Sequence, residues 1–179
     1  MAGGRVLLAV SASVAIHRAL DITSELRKRG RSVRVLMTPR ATQLISPLQF
    51  SALSGEAVIH DLFDPTGRAA YEHLEAARTA NLLVAAPATA DLMARLAAGL
   101  ADDAVTTAAL AYEGPRILCP AMNWRMWKNP LTQRNTATLE ALGWQRIGPE
   151  SGELGCGEDG DGRLASVPNI LAAIEAALS

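Results

Sequence analysis

Short apolar runs alternate with amphipathic stretches along most of the chain. Arg5–Val10 (RVLLAV) is an apolar run rich in strand formers. From Val14 to Arg29, the residues Ala15, Ile16, Ala19, Leu20, Ile22 and Leu26 recur at helical spacing. That stretch closes on Arg27-Lys28-Arg29-Gly30, cations in a last turn followed by a glycine stop. Ser32–Met37 (SVRVLM) alternates as a strand does. The three together predict a β-α-β unit, hence a parallel strand pair with a right-handed crossover. Further on, Leu82–Ala86 (LLVAA) reads as a buried parallel strand, and Ala90–Leu100 and Asp103–Tyr112 as helices. Arg116–Cys119 predicts a strand, Pro130–Leu142 a helix, Trp144–Ile147 a strand and Asn169–Leu178 a closing helix. This rhythm predicts an α/β fold: a mainly parallel sheet with helices on both faces.

Two stretches break the rhythm. Asp64–Arg78 is polar and precedes a core strand. Gly148–Arg163 (GPESGELGCGEDGDGR) holds six glycines in sixteen residues and no aromatic residue. It cannot build core and is expected to be a loop or flap, which at that length is usually functional or disordered.

Composition narrows the function classes. The 179 residues suit one domain, expected to span 1–179, and 49% of them are apolar, enough for a core. Lys+Arg number 17 against Asp+Glu 18, for a formal net charge of -1. No basic block offers itself to nucleic acid or to a membrane surface, so neither is an expected partner. No apolar run approaches the ~20 residues of a membrane span. Cys119 and Cys156 lie far apart and form no C-x-x-C, which favours a reduced, cytoplasmic enzyme. Neither the cysteines nor His17, His60 and His73 show zinc-ligand spacing, so no metal is expected.

Candidate chemistry collects after the strands, where open α/β sheets bind ligands. Ser11-Ala12-Ser13 follows the first strand; helix N-terminal amides and serine hydroxyls there suit a phosphate, or Ser13 is simply a cap. The turn has no G-x-G-x-x-G, which disfavours a dinucleotide. Thr38 follows the second strand at the same rim. Pro87-Ala88-Thr89-Ala90-Asp91 follows the third, with small residues that let a flat ring approach, or with Thr89 or Asp91 capping a helix. Pro120–Trp127 (PAMNWRMW) follows the fourth and crowds two Met and two Trp around Asn123. The Asn123 amide suits a carboxylate or caps a short helix. His73 has an acid–base pKa near neutrality; His17 and His60 stand in weaker contexts. Cys156 sits in the glycine-rich stretch, where packing does not account for it. The acids Glu153, Glu158, Asp159 and Asp161 around it favour a protonated thiol, a proton donor more than a nucleophile.

Together these segments resemble the flavin-containing cysteine decarboxylases over nearly the whole chain, Arg5 to Leu164. Pro87–Leu92 (PATADL) looks like that family's PASANT-type flavin segment, Pro120–Trp127 fits its P-x-M-N-x-x-M-W motif completely, and Gly155–Leu164 (GCGEDGDGRL) looks like its single-cysteine substrate flap. The resemblance implies a Rossmann-like or flavodoxin-like three-layer sandwich in which the flap covers about 148–164. It implies bound FMN and a homotrimer or homododecamer with the flavin near a subunit interface. Ser11, Ala12, Ser13 and Thr38 are implied to hold the flavin phosphate and ribityl chain, and Ala88, Thr89 and Ala90 the rest of the cofactor. His73, Asn123 and Cys156 take the catalytic places; Ala121, Met122, Asn123, Gly155, Gly157 and Arg163 face the substrate. The implied reaction is decarboxylation of 4'-phosphopantothenoylcysteine to 4'-phosphopantetheine in coenzyme A biosynthesis. Peptidyl-cysteine decarboxylation and a non-catalytic regulatory flavoprotein are the alternatives. The sequence departs from the family at Ala12, where glycine is common, at His17-Arg18, where Tyr-Lys is common, and at Asp91 and Leu92.

Overall fold

The computed structural model describes residues 4–62, 71–153 and 157–179. Five strands, β1 (Arg5–Val10), β2 (Ser32–Met37), β3 (Leu82–Ala88), β4 (Arg116–Pro120) and β5 (Trp144–Arg146), form one sheet in the order β2-β1-β3-β4-β5. Every pairing in it is parallel; Val6, for instance, lies between Val33 and Leu82. The strands are apolar on both sides because both sheet faces are covered. Val6, Leu8 and Val10 pack on one side with Ala19, Ile22 and Leu26 of α1 (His17–Lys28), Phe50 of α2 (Pro47–Ser54) and Ile170 and Ile174 of α8 (Val167–Ala177). Leu7 and Ala9 pack on the other with Ala76 and Ala77 of α3 (Glu72–Thr79), Leu92 and Met93 of α4 (Ala90–Ala97), Val105 and Ala108 of α5 (Ala104–Ala111) and Leu139 of α7 (Pro130–Ala141). The α/β reading and the three layers therefore hold. The strand order reverses between β1 and β3, and the crevice outside their carboxyl ends is where such sheets take ligands.

Two helices were not read from the sequence, for a common reason. Helix α2 buries only Phe50 and Ser54, and α3 only His73, Ala76 and Ala77, so neither carries a long apolar stripe. Their signals are local instead. Ser46 caps α2, Pro47 opens it and Gly55, with φ 76, closes it. Helix α6 (Trp124–Lys128) is a single short turn capped by Asn123, and none of its residues is buried.

The glycine-rich stretch corrects one expectation. It is not a plain loop: β6 (Glu150–Glu153) and β7 (Asp159–Arg163) pair antiparallel as a hairpin. Main-chain pairing needs no apolar side chains, so a composition that cannot build core still builds a ladder. Glycine lets this hairpin lie flat on the segment after β4. The Met122 amide donates to the Gly162 carbonyl at 2.9 Å. A Cβ at Gly160 would come within 2.7 Å of the Trp124 Cβ, and one at Gly162 would overlap the Met122 carbonyl oxygen. Gly162→Ala is therefore expected to lift β7 from Met122 and leave the five-stranded sheet intact. Hydrogen exchange checks this. The Met122 amide should exchange about tenfold faster or more, while amides of β1 and β3 stay protected. Unchanged protection at Met122 would show that the contact tolerates a methyl group.

Candidate active site

A cleft of about 860 Å³ opens outside the carboxyl ends of β1, β3 and β4. Ala12 and Ser13 line it after β1, Thr89 and Ala90 after β3, and Ala121, Met122 and Asn123 after β4. Arg163 of β7 and the first residues of α8 form the far wall. The volume lies in the range of small-molecule and cofactor sites. Alanines at 12, 15, 90 and 121 leave room for a flat ring against the backbone.

The first rim is built by side chains that bond to main chain. The Ser11 hydroxyl donates to the Pro87 carbonyl at 2.6 Å and accepts from the Thr89 amide at 3.0 Å. Ser11 is buried and does not line the cleft; it ties the end of β1 to the turn after β3. Thr38 and Ala88 are likewise buried and off the cleft wall. The Thr38 oxygen accepts from the Ala41 amide at 3.3 Å. Ser13 caps a short 3-10 turn, Val14–Ile16, that leads into α1, and Thr89 caps α4. Both caps accept hydrogen bonds, so their hydroxyl protons can point toward an anion in the cleft. The α8 N-terminus has its own carboxylate: Glu150 accepts from the Ser166 amide at 3.0 Å and from the Asn169 amide group at 2.9 Å. The Ser166 amide holds the Glu150 carboxyl below its usual range. An incoming phosphate is thus better served at Ser13 and Thr89.

The motif after β4 and the hairpin meet at Asn123. Its Oδ1 accepts from the Arg125 amide at 2.8 Å, capping α6, and its Nδ2 donates to Glu158 at 3.3 Å. The same carboxylate accepts from the Trp124 indole at 2.9 Å and from the Arg125 guanidinium at 2.7 Å. The Arg125 guanidinium, and after it the Asn123 amide, hold the Glu158 carboxyl below its usual range. The guanidinium also lies 4.5 Å from the centre of the Trp124 ring. Trp127 and Met122 pack against the core face shared with α4 and α7.

His73 lies elsewhere. It sits in the first turn of α3, on the face carrying α5, and does not line the cleft. The other end of α3 is near the start of β1, where Arg5 donates to Thr79, so His73 is toward the carboxyl edge of the sheet. Burial lowers its pKa, which leaves a neutral imidazole at neutral pH. Its Nδ1 has no hydrogen-bond partner among the described residues. Gly155 and Cys156 lie outside the described residues. Gly157 is exposed and off the cleft wall. Cys119 is buried in β4, and burial pushes its thiol pKa far up, so it remains an inert protonated thiol. Sequence reasoning did not find Trp124, Arg125 and Glu158 as a unit, or Arg18 on the cleft wall. Only the density of Trp and Met beside Asn123 signalled the first group.

Comparison with known proteins gives consistent matches. The Flavoprotein family matches residues 1–179. The chain is 42% identical over 175 residues to the coenzyme A biosynthesis bifunctional protein CoaBC of Vibrio vulnificus strain YJ016, covering 98% of this chain and 44% of that one. The chain thus spans less than half the length of such relatives. It is also 42% identical to a probable phosphopantothenoylcysteine decarboxylase of Streptococcus mutans, over 96% of this chain and 97% of that one. Among solved structures, it superposes with TM-score 0.85 at 29% identity on a cysteine-to-serine mutant PPC decarboxylase complexed with pantothenoylaminoethenethiol, covering 97% of each chain. The FMN-dependent cysteine decarboxylase SpaF gives TM-score 0.83 at 33% identity, over 99% of this chain and 96% of that one.

Proposed function

The chain belongs to the flavoprotein family, and we propose that it is an FMN-dependent decarboxylase converting 4'-phosphopantothenoylcysteine to 4'-phosphopantetheine in coenzyme A biosynthesis. The observation that carries the reading is the cleft at the β1/β3 reversal, with small residues on its walls and the Asn123 amide at its rim. The Streptococcus mutans relative's name supports the activity. The pantothenoylaminoethenethiol held by the PPC decarboxylase supports the substrate class, since it is a decarboxylated pantothenoyl-cysteine skeleton. The reading takes residues 1–179 as one flavin domain and carries with it the cytoplasmic location expected from the sequence. No helix among the described residues is long and apolar enough to cross a membrane.

The cleft residues fit FMN. The Ser13 and Thr89 hydroxyls lie on the cleft wall where an anion would bind, and Ala12, Ala90 and Ala121 leave space for the ring. Ser11, Thr38 and Ala88 then act from behind, fixing the turns. When bound, FMN supplies the two-electron acceptor for the cysteinyl thiol-bearing carbon and later returns the pair to the enethiol. The protein orients the substrate and handles protons. Asn123 donates to the substrate carboxylate and sets the breaking bond. His73, a neutral imidazole, takes a proton during oxidation. Cys156 gives its thiol proton to carbon in the last step. The hairpin, with Arg163 on the cleft wall, excludes water.

Because His73 is off the cleft of its own chain, this mechanism includes a homo-oligomer, a trimer or dodecamer, in which another copy brings His73 to the cleft. Tyr71 and Leu74 beside His73, and Leu110 on α5, are exposed apolar side chains suited to such a contact.

The test is direct. Purified protein should be yellow, release FMN by mass spectrometry, and evolve CO2 from 4'-phosphopantothenoylcysteine. A different cofactor, or a protein that binds none after supplementation, would overturn the reading. The second reading is peptidyl-cysteine decarboxylation, the alternative that the sequence resemblance implies. CO2 release from a cysteine-terminated peptide, and none from the phosphopantothenoyl compound, would select it.

A further inference from the structure

Glu158 lies just before β7 and is bound by the motif after β4, next to the Asn123 that lines the cleft. Its two oxygens are held by donors from three consecutive residues: the Asn123 amide, the Trp124 indole N–H and the Arg125 guanidinium. In the P-x-M-N-x-x-M-W pattern, Trp124 and Arg125 fill the open positions, so the pattern itself does not call for this set. The donor geometry is supported without Glu158. Asn123 is fixed by its cap to the Arg125 amide, and the Arg125 guanidinium lies over the Trp124 ring, with the Lys128 ammonium 5.3 Å from that ring's centre.

We propose that Asn123, Trp124 and Arg125 form a carboxylate receptor, and that Glu158 is its internal occupant, displaced when the substrate carboxylate binds. This rests on the reading above, in which the substrate carboxylate reaches Asn123. Two carboxylates cannot share that amide at contact, because like charges repel. Protonation of Glu158 does not resolve the conflict at neutral pH, since Arg125 and Asn123 hold its carboxyl low. Departure does. The Arg125 and Glu158 side chains are 63% and 39% exposed, so solvent can take up the carboxylate that leaves. Glu158 leads directly into β7, whose Gly162 and Arg163 line the cleft. After exchange, the indole and guanidinium hold the substrate carboxylate together with Asn123, which makes Trp124 and Arg125 specificity residues. A ligand without a carboxylate makes no such exchange.

Two ligands separate this from a simple latch. 4'-Phosphopantothenoylserine keeps the carboxylate and lacks the thiol that oxidation needs; 4'-phosphopantetheine lacks the carboxylate. Binding of both to the FMN-loaded protein is measured by calorimetry. Glu158→Gln removes the competitor's charge and should tighten the serine compound about tenfold, leaving 4'-phosphopantetheine within about twofold. Arg125→Gln should weaken the serine compound about tenfold and again spare 4'-phosphopantetheine. If Glu158→Gln shifts both ligands alike, or weakens the serine compound, Glu158 is a latch or a substrate ligand and the proposal falls. If neither ligand binds the unsubstituted protein, the substrate reading falls and takes the proposal with it.

Discussion

Asn123→Asp is expected to give a folded, yellow protein whose turnover of 4'-phosphopantothenoylcysteine is lower by roughly a thousandfold, equivalent to about 4 kcal/mol of transition-state stabilisation. The substitution separates two jobs done by one side chain. Oδ1 caps α6 through the Arg125 amide, and aspartate caps as well as asparagine, so the helix should persist. Nδ2 points the other way and donates to a carboxylate, 3.3 Å away in Glu158. Replacing that amide with an oxygen turns an attraction into a repulsion, for Glu158 and for the substrate alike. The double variant Asn123→Asp/Glu158→Gln isolates the second effect: it relieves the repulsion within the protein and should remain inactive. Near-normal turnover in the single variant would confine Asn123 to capping. Recovery in the double variant would place the whole effect in the hairpin.

An equally large effect is expected from mixing two inactive proteins. His73→Asn should keep the fold and FMN and lose turnover, because the neutral imidazole is removed. If His73 of one copy serves the cleft of another, reassociating His73→Asn chains with Asn123→Asp chains rebuilds intact sites. For random mixing in equal amounts around a cyclic trimer, about one site in four receives an intact residue from each side, so about a quarter of normal turnover should return. A site contained within one chain returns none. Light scattering on the mixture identifies the assembly, and activity that stays at background despite proven exchange of subunits would end the shared-site mechanism.

Much of the fold could be read from the chain because its strands are buried on both faces. RVLLAV and LLVAA admit few other placements, and the amphipathic stretch after the first fixes a crossover helix. What stayed hidden depends on partners distant in sequence. Ser11 looked like a phosphate donor, but its hydroxyl bonds to Pro87 and Thr89, 76 and 78 positions away. Glu158 was read as part of an acidic field around Cys156, yet its charge faces Arg125, 33 positions back. His73 could be matched to a role but not to a place, since a polar helix with only three buried residues shows no apolar stripe to orient it. The hairpin was missed because strand pairing through glycine-rich main chain leaves almost no trace in side-chain pattern.

The contact of β7 with the residues after β4 bears on attempts to retarget such enzymes by grafting. A hairpin transplanted alone into a relative would arrive without its counter-surface. Gly160 and Gly162 are cut to the contours of Trp124 and Met122, and Glu158 to donors that the surrounding motif leaves unspecified. The transferable cassette is therefore discontinuous. It comprises Met122–Arg125 together with Gly157–Arg163, and a library that varies one half against a fixed other half will consist mostly of mismatched pairs.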